Sequence, residues 1–568
     1  MTRSHNILLK SLLFTYALAC PLAQADWNIV GAPDPISQAI RAYLLEEPLN
    51  CPVGAENTFI EHKPIQDALD AFGYFGAKYY ITATPEKAPC TLNINLGTQA
   101  TVLGWQTTFL DTEKTTPLMQ RAQSLATPSN ALFDPQSYRQ TRRAFLNLLQ
   151  EEGYIDANFA RSDVVIDMAK NTAEIQWQVE LGERYSISQL IIEQEILTDE
   201  LVRRILELEE GAPLRTQEMV EAYENLLSSD YYRRLSITPV LDAANNGAVP
   251  VHITAESANP WSYLLGPGYS TDSGPRFKAE ASARYLNKNG HRASLVGLLS
   301  KANSFAKADY RWPAGNPNSE WYSIETQFNA EDTDSATSQT LAFGLKKTAR
   351  LNKSWAQTTF ANYSIEDFEI GTQESQSTLL VVGANFTYTS SIDTPRPRRG
   401  SRLSVDLRGA ANALLSDNSF AQARLSGKRI LPVFSQARLL LRAEFGAIWT
   451  SNFDALPASI RFFTGGDRSI RGYALDSVGS KDDFGNVIGS THLINASVEL
   501  DIPFRQNWSF ALFSDIGSAY KNSPEFNQSI GAGVRWYSPL GPLRLDIAHP
   551  MQDSNQSVRL HLSLGPDI

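Results

Sequence analysis

Polar and apolar residues alternate along successive segments from Tyr263 to the end of the chain, without helical patterns between them. The segments 438–445 and 494–502 show the alternation most clearly. A period of two puts alternate side chains on opposite faces of a β-strand. A soluble sandwich would bury the apolar face, whereas a membrane barrel would turn it to lipid around a wet lumen. Because the opposite faces are polar and often charged, the pattern favours a transmembrane antiparallel β-barrel over residues 263–568.

The N-terminus has the features of a secretory signal peptide, which supports this interpretation. Arg3 precedes an apolar run over residues 7–19 that contains no acidic residue, and residues 23–25 supply small side chains at a cleavage site. We therefore expect a signal peptide over residues 1–25 and a mature chain that begins at Asp26.

The cysteines fit an exported chain. Cys20 is an alternative lipoprotein cysteine, although Ala17 stands where a lipobox usually has leucine. After signal cleavage Cys51 and Cys90 are the only thiols. They predict one disulfide bond, which would stabilise the fold by about 4 kcal/mol in the chain-entropy model. A reactive thiol pair is less favoured because the spacing is far from Cys-x-x-Cys.

Charge divides the mature chain into two parts. Residues 26–262 contain 33 acidic and 17 basic residues, whereas residues 263–568 contain 28 and 31. The net charge of −11 for the whole chain argues against a nucleic-acid partner, which would need a basic surface. Beyond the N-terminus, no segment approaches about 18 uninterrupted apolar residues, so a membrane protein made of several helices is excluded.

The acidic part contains a weak internal repeat with a spacing of about 80 residues. Each copy ends an amphipathic helix in a similar motif, followed by strand-like alternation and preceded by a short strand and a first helix. The motifs lie at 69–75, 149–155 and 227–232. Three βααββ modules fit, over residues 26–100, 101–182 and 183–262. The edge strand of such a module can accept an extended client by β-augmentation.

A segment between two barrel strands, 461–473, is too rich in glycine and charge to be a strand. Its central residues are Gly465, Gly466, Asp467, Ile470, Arg471, Gly472 and Tyr473. Glu499 and Asp515 lie on the polar faces of the next two strands and should point into the lumen. If the segment folds inward, Arg471 can make bidentate hydrogen bonds with these carboxylates. The alternative is an exposed loop with a solvated Arg471.

The end of the last strand suggests a weak closure of the barrel. Val558 and Leu564 should face lipid, and the following Gly565 and Pro566 interrupt the ladder because proline has no N–H. Pairing with the first strand, expected near Tyr269 to Leu286, should therefore be short. An unpaired strand edge in lipid captures an incoming strand, so a weak seam can serve as a lateral gate. The alternative is an ordinary closure with a frayed end.

These motifs resemble a known superfamily. Residues 470–473, preceded by 465–467, resemble the lumen-inserted loop motif of the outer-membrane insertases that combine POTRA domains with a barrel, and the repeats resemble POTRA domains. Within that superfamily, the three repeats and the segments 266–276 and 531–542 are most similar to the TamA family. The resemblance implies a barrel of 16 strands in which Glu499 and Asp515 hold Arg471.

The resemblance also implies a function. The barrel would lie in the outer membrane of a Gram-negative bacterium with its POTRA domains in the periplasm. Client β-barrels such as autotransporters would pair with the first and last strands by β-augmentation and pass sideways into the bilayer. A TamB-like protein anchored in the inner membrane would dock on the first POTRA domain.

Several alternatives to the insertase stay open. They are a two-partner-secretion pore for extended protein, a component of a phospholipid-transport bridge and a passive porin. The sequence has no His-Glu-x-x-His, no Gly-x-Ser-x-Gly, no phosphate-binding glycine loop and no zinc-like cysteine spacing. We therefore predict no enzymatic activity, no cofactor and no metal.

Overall fold

The structure is a computed structural model that describes residues 27–49, 57–82, 90–111, 116–126, 128–390, 396–434, 436–538, 541–552 and 558–564. The predicted signal peptide, Cys51, Gly565 and Pro566 lie outside these residues. The chain divides into two compact units, one of Met1–Ile191, Leu208–Glu221 and Ile237–His252 and the other of Ile192–Glu207, Ala222–Ser236 and Ile253–Ile568.

The first module is a small sheet covered by two helices. Its elements are β1 (Asn28–Val30), α1 (Asp34–Glu46), β2 (Thr58–Phe59), α2 (Lys63–Asp70), β3 (Lys78–Thr82) and β4 (Thr91–Asn95). The sheet order is β1-β4-β3-β2, so the two-residue strand β2 adds to the expected βααββ pattern. Ile36, Ile40 and Leu44 recur every fourth residue on one face of α1 and pack with Ile81 and Leu92 in the core.

The second module follows the βααββ order. Its elements are β5 (Thr101–Phe109), α3 (Pro117–Gln123), α4 (Pro135–Glu151), β6 (Asn158–Asp167) and β7 (Thr172–Glu180), with the sheet order β5-β7-β6. Asp134 begins α4 as its N-cap and accepts hydrogen bonds from the N–H groups of Gln136 and Ser137. Trp177 is buried at the centre of the core, where Phe145 meets it edge-on.

The third module has the same element order. It contains β8 (Ser186–Glu193), α5 (Asp199–Leu206), α6 (Thr216–Ser228), a short 3-10 turn (Leu241–Ala243), β9 (Tyr232–Pro239) and β10 (Ala248–Ser257), with the sheet order β8-β10-β9. Gly73 and Gly153 have positive φ angles of 82° and 101° after the preceding helices, and Asp230 adopts 59° at the matching point. Aspartate tolerates the left-handed region better than most residues, so the third repeat keeps its turn without glycine. No helix in the described part of the chain is long and apolar enough to span a membrane.

Sixteen antiparallel strands form a closed barrel in chain order, which confirms the predicted fold class. They are β11 (Trp261–Ser270), β12 (Gly274–Ala283), β13 (Arg292–Leu299), β14 (Asn303–Pro313), β15 (Trp321–Asp332), β16 (Ala336–Arg350), β17 (Trp355–Ile370), β18 (Gln373–Thr389), β19 (Gly400–Ala410), β20 (Phe420–Pro432), β21 (Arg438–Thr450), β22 (His492–Arg505), β23 (Trp508–Tyr520), β24 (Asn527–Ser538), β25 (Gly541–Pro550) and β26 (Arg559–Leu564).

Side chains alternate between the lumen and the outside along these strands. In β23, Phe510 and Leu512 are about half exposed on the outer face, whereas Ala511 and Phe513 are buried inside. The outer face is therefore apolar, as a lipid-facing surface requires.

Tyr231, which follows α6, contacts the turn between β12 and β13. Its hydroxyl donates a hydrogen bond of 2.7 Å to the carbonyl of Gly290, and the guanidinium of Arg292 stacks 4.0 Å above its ring. Nearby, Arg284 forms an ion pair of 2.9 Å with Asp230. The tyrosine of the third repeat is therefore fully buried and connects the end of a helix to the barrel rim.

The seam between the first and last strands is short. Among the described residues, β11 pairs with β26 only through Tyr269 with Leu564 and Ser270 with Ser563. One further backbone bond, 3.1 Å long, runs from the N–H of Thr271 to the carbonyl of Leu562. Every other pair of neighbouring strands in the barrel has six or more paired positions, as between β25 and β26.

The expected position of the first strand, near Tyr269 to Leu286, is wrong. The first strand is β11, Trp261–Ser270, so Tyr269 lies at its end and Leu286 lies in the turn after β12. The segment 266–268 has the glycine and proline content of a turn, yet it forms strand. In the described residues β26 pairs with β11 only at 269 and 270, so the missing N–H of Pro267 costs no hydrogen bond on that edge.

Candidate functional site

The segment 451–491, between β21 and β22, packs against the inner wall of the barrel. We call it the lumen loop. Its Leu456, Ile460 and Phe462 form one buried cluster with Leu379 and Leu493 of the barrel strands. The burial of these apolar side chains favours an inward loop over a solvated one.

Arg461 forms hydrogen bonds with both ends of the lumen loop. Its guanidinium donates to the carbonyls of Leu456 at 2.9 Å, Ile488 at 2.9 Å and Asp454 at 2.7 Å. Burial lowers the pKa of Arg461 to about 10, although Asp454 and Glu366 oppose the shift. These bonds hold the two ends of the loop close to each other.

Arg471 lies deep in the lumen and is only 4% exposed. Its Nε donates to Asp515 Oδ2 at 2.7 Å and its Nη2 to Asp515 Oδ1 at 2.9 Å. Its Nη1 donates to Glu499 Oε2 at 2.7 Å. The guanidinium also lies 3.3 Å from the centroid of the Phe513 ring. Glu499 is on β22 and Asp515 on β23, so the loop residue bridges two neighbouring strands with charge-assisted bonds.

Two further charged residues complete this network. Asp546 of β25 accepts from Arg471 Nη1 at 3.3 Å. Arg535 of β24 donates to Asp546, with one bond at 3.0 Å, and to Glu499 Oε1 at 3.2 Å. The loop is therefore tied to three strands directly and to a fourth through Arg535.

A third arginine balances the carboxylates. Arg442 of β21 lies 3.9 Å from Asp515 and donates to Ser497 Oγ at 3.1 Å. Three arginines thus face three carboxylates. Removing one member of such a buried set leaves a desolvated charge without its partner, which is strongly destabilising.

The start of the motif forms a second contact area, where the lumen loop meets the seam. Asp467 contacts Ser270 and His561, and its N–H donates to Asp272 Oδ2 at 2.6 Å. Gly466 has a φ of 101°, and a Cβ there would lie 2.7 Å from Asp272 Oδ2. Glycine is therefore required at this position because a side chain would be strained and would clash.

One group of potential metal ligands occurs in the described part of the chain. Oxygen or nitrogen atoms of Asp272, Asp467 and His561 lie within 4.8 Å of one another. Both ring nitrogens of His561 are engaged in hydrogen bonds, to Asp467 and to the N–H of Gly472. Asp272 accepts from the N–H of Asp467 through Oδ2, whereas its Oδ1 is buried without a hydrogen-bond partner among the described residues.

The structure brings the predicted loop motif and its two carboxylates together. Of the predicted gate residues, Tyr269 and Leu564 are partners in the ladder, whereas Leu286 lies in the turn after β12. Val558 is exposed just before β26, and Leu564 is the last described residue of that strand. Cys90 forms a disulfide bond, and Cys51, its expected partner, lies outside the described residues.

Arg535, Asp546 and His561 belong to the site but are not among the residues predicted from the sequence. Each occupies a polar position in an alternating strand, so the period-two rule could have put all three in the lumen. The rule gives the face of the sheet and not the neighbour that each side chain reaches.

Known proteins resemble this chain in sequence and in fold. The Omp85 superfamily domain matches residues 284–567. The chain is 22% identical over 445 residues to "Outer membrane protein assembly factor BamA" of Nitratidesulfovibrio vulgaris, which covers 73% of this chain and 56% of the relative. The chain therefore spans a little more than half the length of that relative.

Two solved structures align with this chain. BamA from Haemophilus ducreyi lacking POTRA domains 1–3 aligns with a TM-score of 0.66 and 17% identity, over 82% of this chain and 99% of that one. CdiB from Acinetobacter baumannii aligns with a TM-score of 0.47 and 13% identity, over 93% and 98%. With its superfamily domain spanning half of its length, this chain belongs to the Omp85 superfamily, with its barrel in the outer membrane and its POTRA domains in the periplasm.

Proposed function

We propose that this chain inserts client outer-membrane proteins through a lateral gate between β11 and β26. The observation that carries the proposal is the seam, where only two residue pairs join the strands in the described residues. Residues 261–268 of β11 have no partner on that edge in the described part of β26. A client strand can form backbone hydrogen bonds there while displacing little of the pairing that the described residues form.

The outer face of β11 supports the same role. Tyr263 and Leu265 are among the most exposed apolar side chains of the barrel. A strand edge in lipid cannot satisfy its N–H and C=O groups with water, so an incoming strand is a favourable partner. The client would then leave the barrel sideways with its backbone groups paired.

The docked lumen loop favours lateral insertion over secretion through the lumen. Arg471 holds the loop against β22, β23 and β25 with buried hydrogen bonds. An extended chain passing through the lumen would have to share it with this loop or displace it. A two-partner-secretion pore is therefore the weaker alternative, and no feature of the described residues points to a phospholipid bridge.

The finer assignment is a TamA-like insertase. Three POTRA repeats and the motifs at 266–276 and 531–542 support it. The name of the BamA relative, an assembly factor, is consistent with protein insertion. On this proposal a TamB-like protein anchored in the inner membrane docks on the first POTRA domain, residues 26–100, and the clients include autotransporter barrels.

The test is site-specific photocrosslinking to a nascent barrel client in cells. The crosslinking residue replaces Leu265 in β11 or Leu560 in β26, both exposed on the outer face. Leu341 in β16, similarly exposed and five strands from β11, is the matched control. We expect client adducts from 265 and 560 and none from 341.

Two outcomes contradict the proposal. One is assembly of the client without adducts at either seam position. The other is a large, steady conductance of the wild-type protein in planar bilayers, which would indicate an open secretion pore or porin.

A further inference from the structure

Asp467 of the lumen loop contacts both strands that border the seam. Its Oδ2 accepts a hydrogen bond of 2.6 Å from Ser270 Oγ, at the end of β11. Its Oδ1 contacts the Nδ1 of His561 in β26. One carboxylate therefore joins the first strand to the last.

The hydrogen bonds of His561 define its role. Its Nε2 accepts from the N–H of Gly472 at 2.9 Å, so in the neutral ring Nδ1 carries the proton and donates to Asp467. His561 is only 3% exposed, which makes these two bonds costly to lose without replacement. The last strand is thus held at both ring nitrogens by the same loop.

Asp467 is not the only residue that holds the loop in place. Arg471 ties the loop to β22, β23 and β25 through Glu499, Asp515 and Asp546. The side chain of Asp467 contacts Ser270 of β11 and His561 of β26, beside the two residue pairs of the seam among the described residues. A charge-assisted contact is strong relative to so little backbone pairing.

We propose that Asp467 is a positioning residue that clasps the seam closed, so that the gate opens when Asp467 releases Ser270 or His561. This inference rests on the proposed function and adds a control element to it. The lumen loop then has two roles carried by different residues: Arg471 anchors it, and Asp467 closes the gate.

The test uses the full chain in planar bilayers without any client. Asp467→Ala removes both side-chain contacts, and the frequency of opening events should rise about tenfold, the order expected for a lost charge-assisted hydrogen bond. Asp483→Ala, an exposed aspartate in the same loop, is the matched control and should behave as wild type. Gel electrophoresis checks that each barrel is folded, because a folded barrel migrates more slowly after heating than before it.

A seam disulfide distinguishes a clasp from general loosening of the loop. Cysteines at positions 269 and 564, which are paired in the ladder, should return Asp467→Ala to the wild-type opening frequency when oxidised. If Asp467→Ala does not fold, Ser270→Ala tests the same clasp by removing one contact. A wild-type opening frequency in the folded variant, or openings that persist with the oxidised seam, would overturn the proposal.

The two experiments separate the clasp from the proposed function, because each can fail while the other holds. Client adducts at β11 and β26 together with an unchanged opening frequency in Asp467→Ala would reject the clasp alone. An increased frequency that the disulfide reverses would support the clasp even if no client crosslinks to the seam.

Discussion

The guanidinium of Arg471 meets both carboxylate oxygens of Asp515, with hydrogen bonds of 2.7 and 2.9 Å inside the barrel. Asp515 is fully buried, so the pair is shielded from water and salt in a way that surface pairs are not. The main-chain N–H of Arg471 also donates to Asp515, at 3.1 Å, which aligns the backbone of the loop with the strand.

We expect Arg471→Ala to impair client assembly while the barrel still folds. The substitution leaves Asp515 and Glu499 buried without their main partner, at a cost of about 3 kcal/mol. The strand ladder does not involve the loop and should persist. Urea unfolding in liposomes measures the stability, and assembly of a barrel client in cells measures the function.

Two substitutions control this experiment. Arg468→Ala removes an exposed arginine from the same loop and should leave both measurements unchanged. Arg471→Lys keeps the charge but cannot bond both carboxylate oxygens in a fork, so it should resemble Arg471→Ala more than wild type. Normal client assembly in Arg471→Ala would sink the idea that the docked loop is needed.

A disulfide between Tyr269→Cys and Leu564→Cys should block client assembly reversibly. These positions are partners in the ladder, and paired strand positions lie within disulfide reach. Oxidation locks the seam, and reduction should restore assembly. The matched control is Val534→Cys with Leu545→Cys, a paired position between β24 and β25 that does not cross the seam. Full activity of the oxidised seam variant would mean that lateral opening is not required.

Tyr231→Phe should loosen the turn between β12 and β13. The change removes the buried hydrogen bond to the Gly290 carbonyl and should cost about 1 kcal/mol. Hydrogen exchange by mass spectrometry should show faster exchange in residues 284–292. Tyr223→Phe, at an exposed position on α6, is the control. Equal exchange in both variants would show that the hydroxyl does not hold the turn.

Asp134 gives the second POTRA domain a pH-dependent stability. Burial opposes ionisation of its carboxyl, but hydrogen bonds from Ser137 and Gln136 outweigh burial and hold the pKa below its usual range. A lowered pKa in the folded state means that the stabilisation is present above about pH 4 and is lost as the pH falls through the folded value.

Asp134→Ala should therefore destabilise α4 by about 1 kcal/mol at neutral pH and by less in acid. Faster exchange of the amides in the first turn of α4 measures the effect in the full chain. Asp134→Asn can still cap the helix without a charge, so it should remove the pH dependence and keep most of the stability. If the difference in amide exchange between Asp134→Ala and wild type did not change with pH, this account would be contradicted.

The alternation of residues was sufficient to predict the barrel and the side on which Glu499 and Asp515 lie. A strand has only two faces, and odd and even positions point to opposite ones. The direction of each side chain therefore follows once the apolar face is known. The contacts of Asp546 and Arg535 could not be predicted in this way. The bond from Arg471 to Asp546 depends on the path of a 41-residue loop, 451–491, which no local pattern encodes. The bonds of Arg535 depend on which lumen side chains meet across the strands.

The position of the first strand could not be predicted for a different reason. Glycine and proline over residues 266–268 usually mark a turn, but a strand tolerates proline at an edge where its missing N–H has no ladder partner. Here one edge lacks a ladder partner over most of its described length. The turn rule therefore does not hold for residues 266–268, at the edge where the described part of β26 provides only two residue pairs.

Through Arg471, the lumen loop supplies the positive charge that the carboxylates of Asp515 and Glu499 on the barrel wall require. Without it, the nearest ion-paired arginine to Asp515 in the described structure is Arg442, at 3.9 Å. Docking of the loop and folding of β22, β23 and β25 are therefore thermodynamically linked, because each supplies the opposite charge that the other needs. Any state in which the loop leaves the lumen must take up a cation or a proton at that wall, so the ionic composition of the surroundings should shift its population.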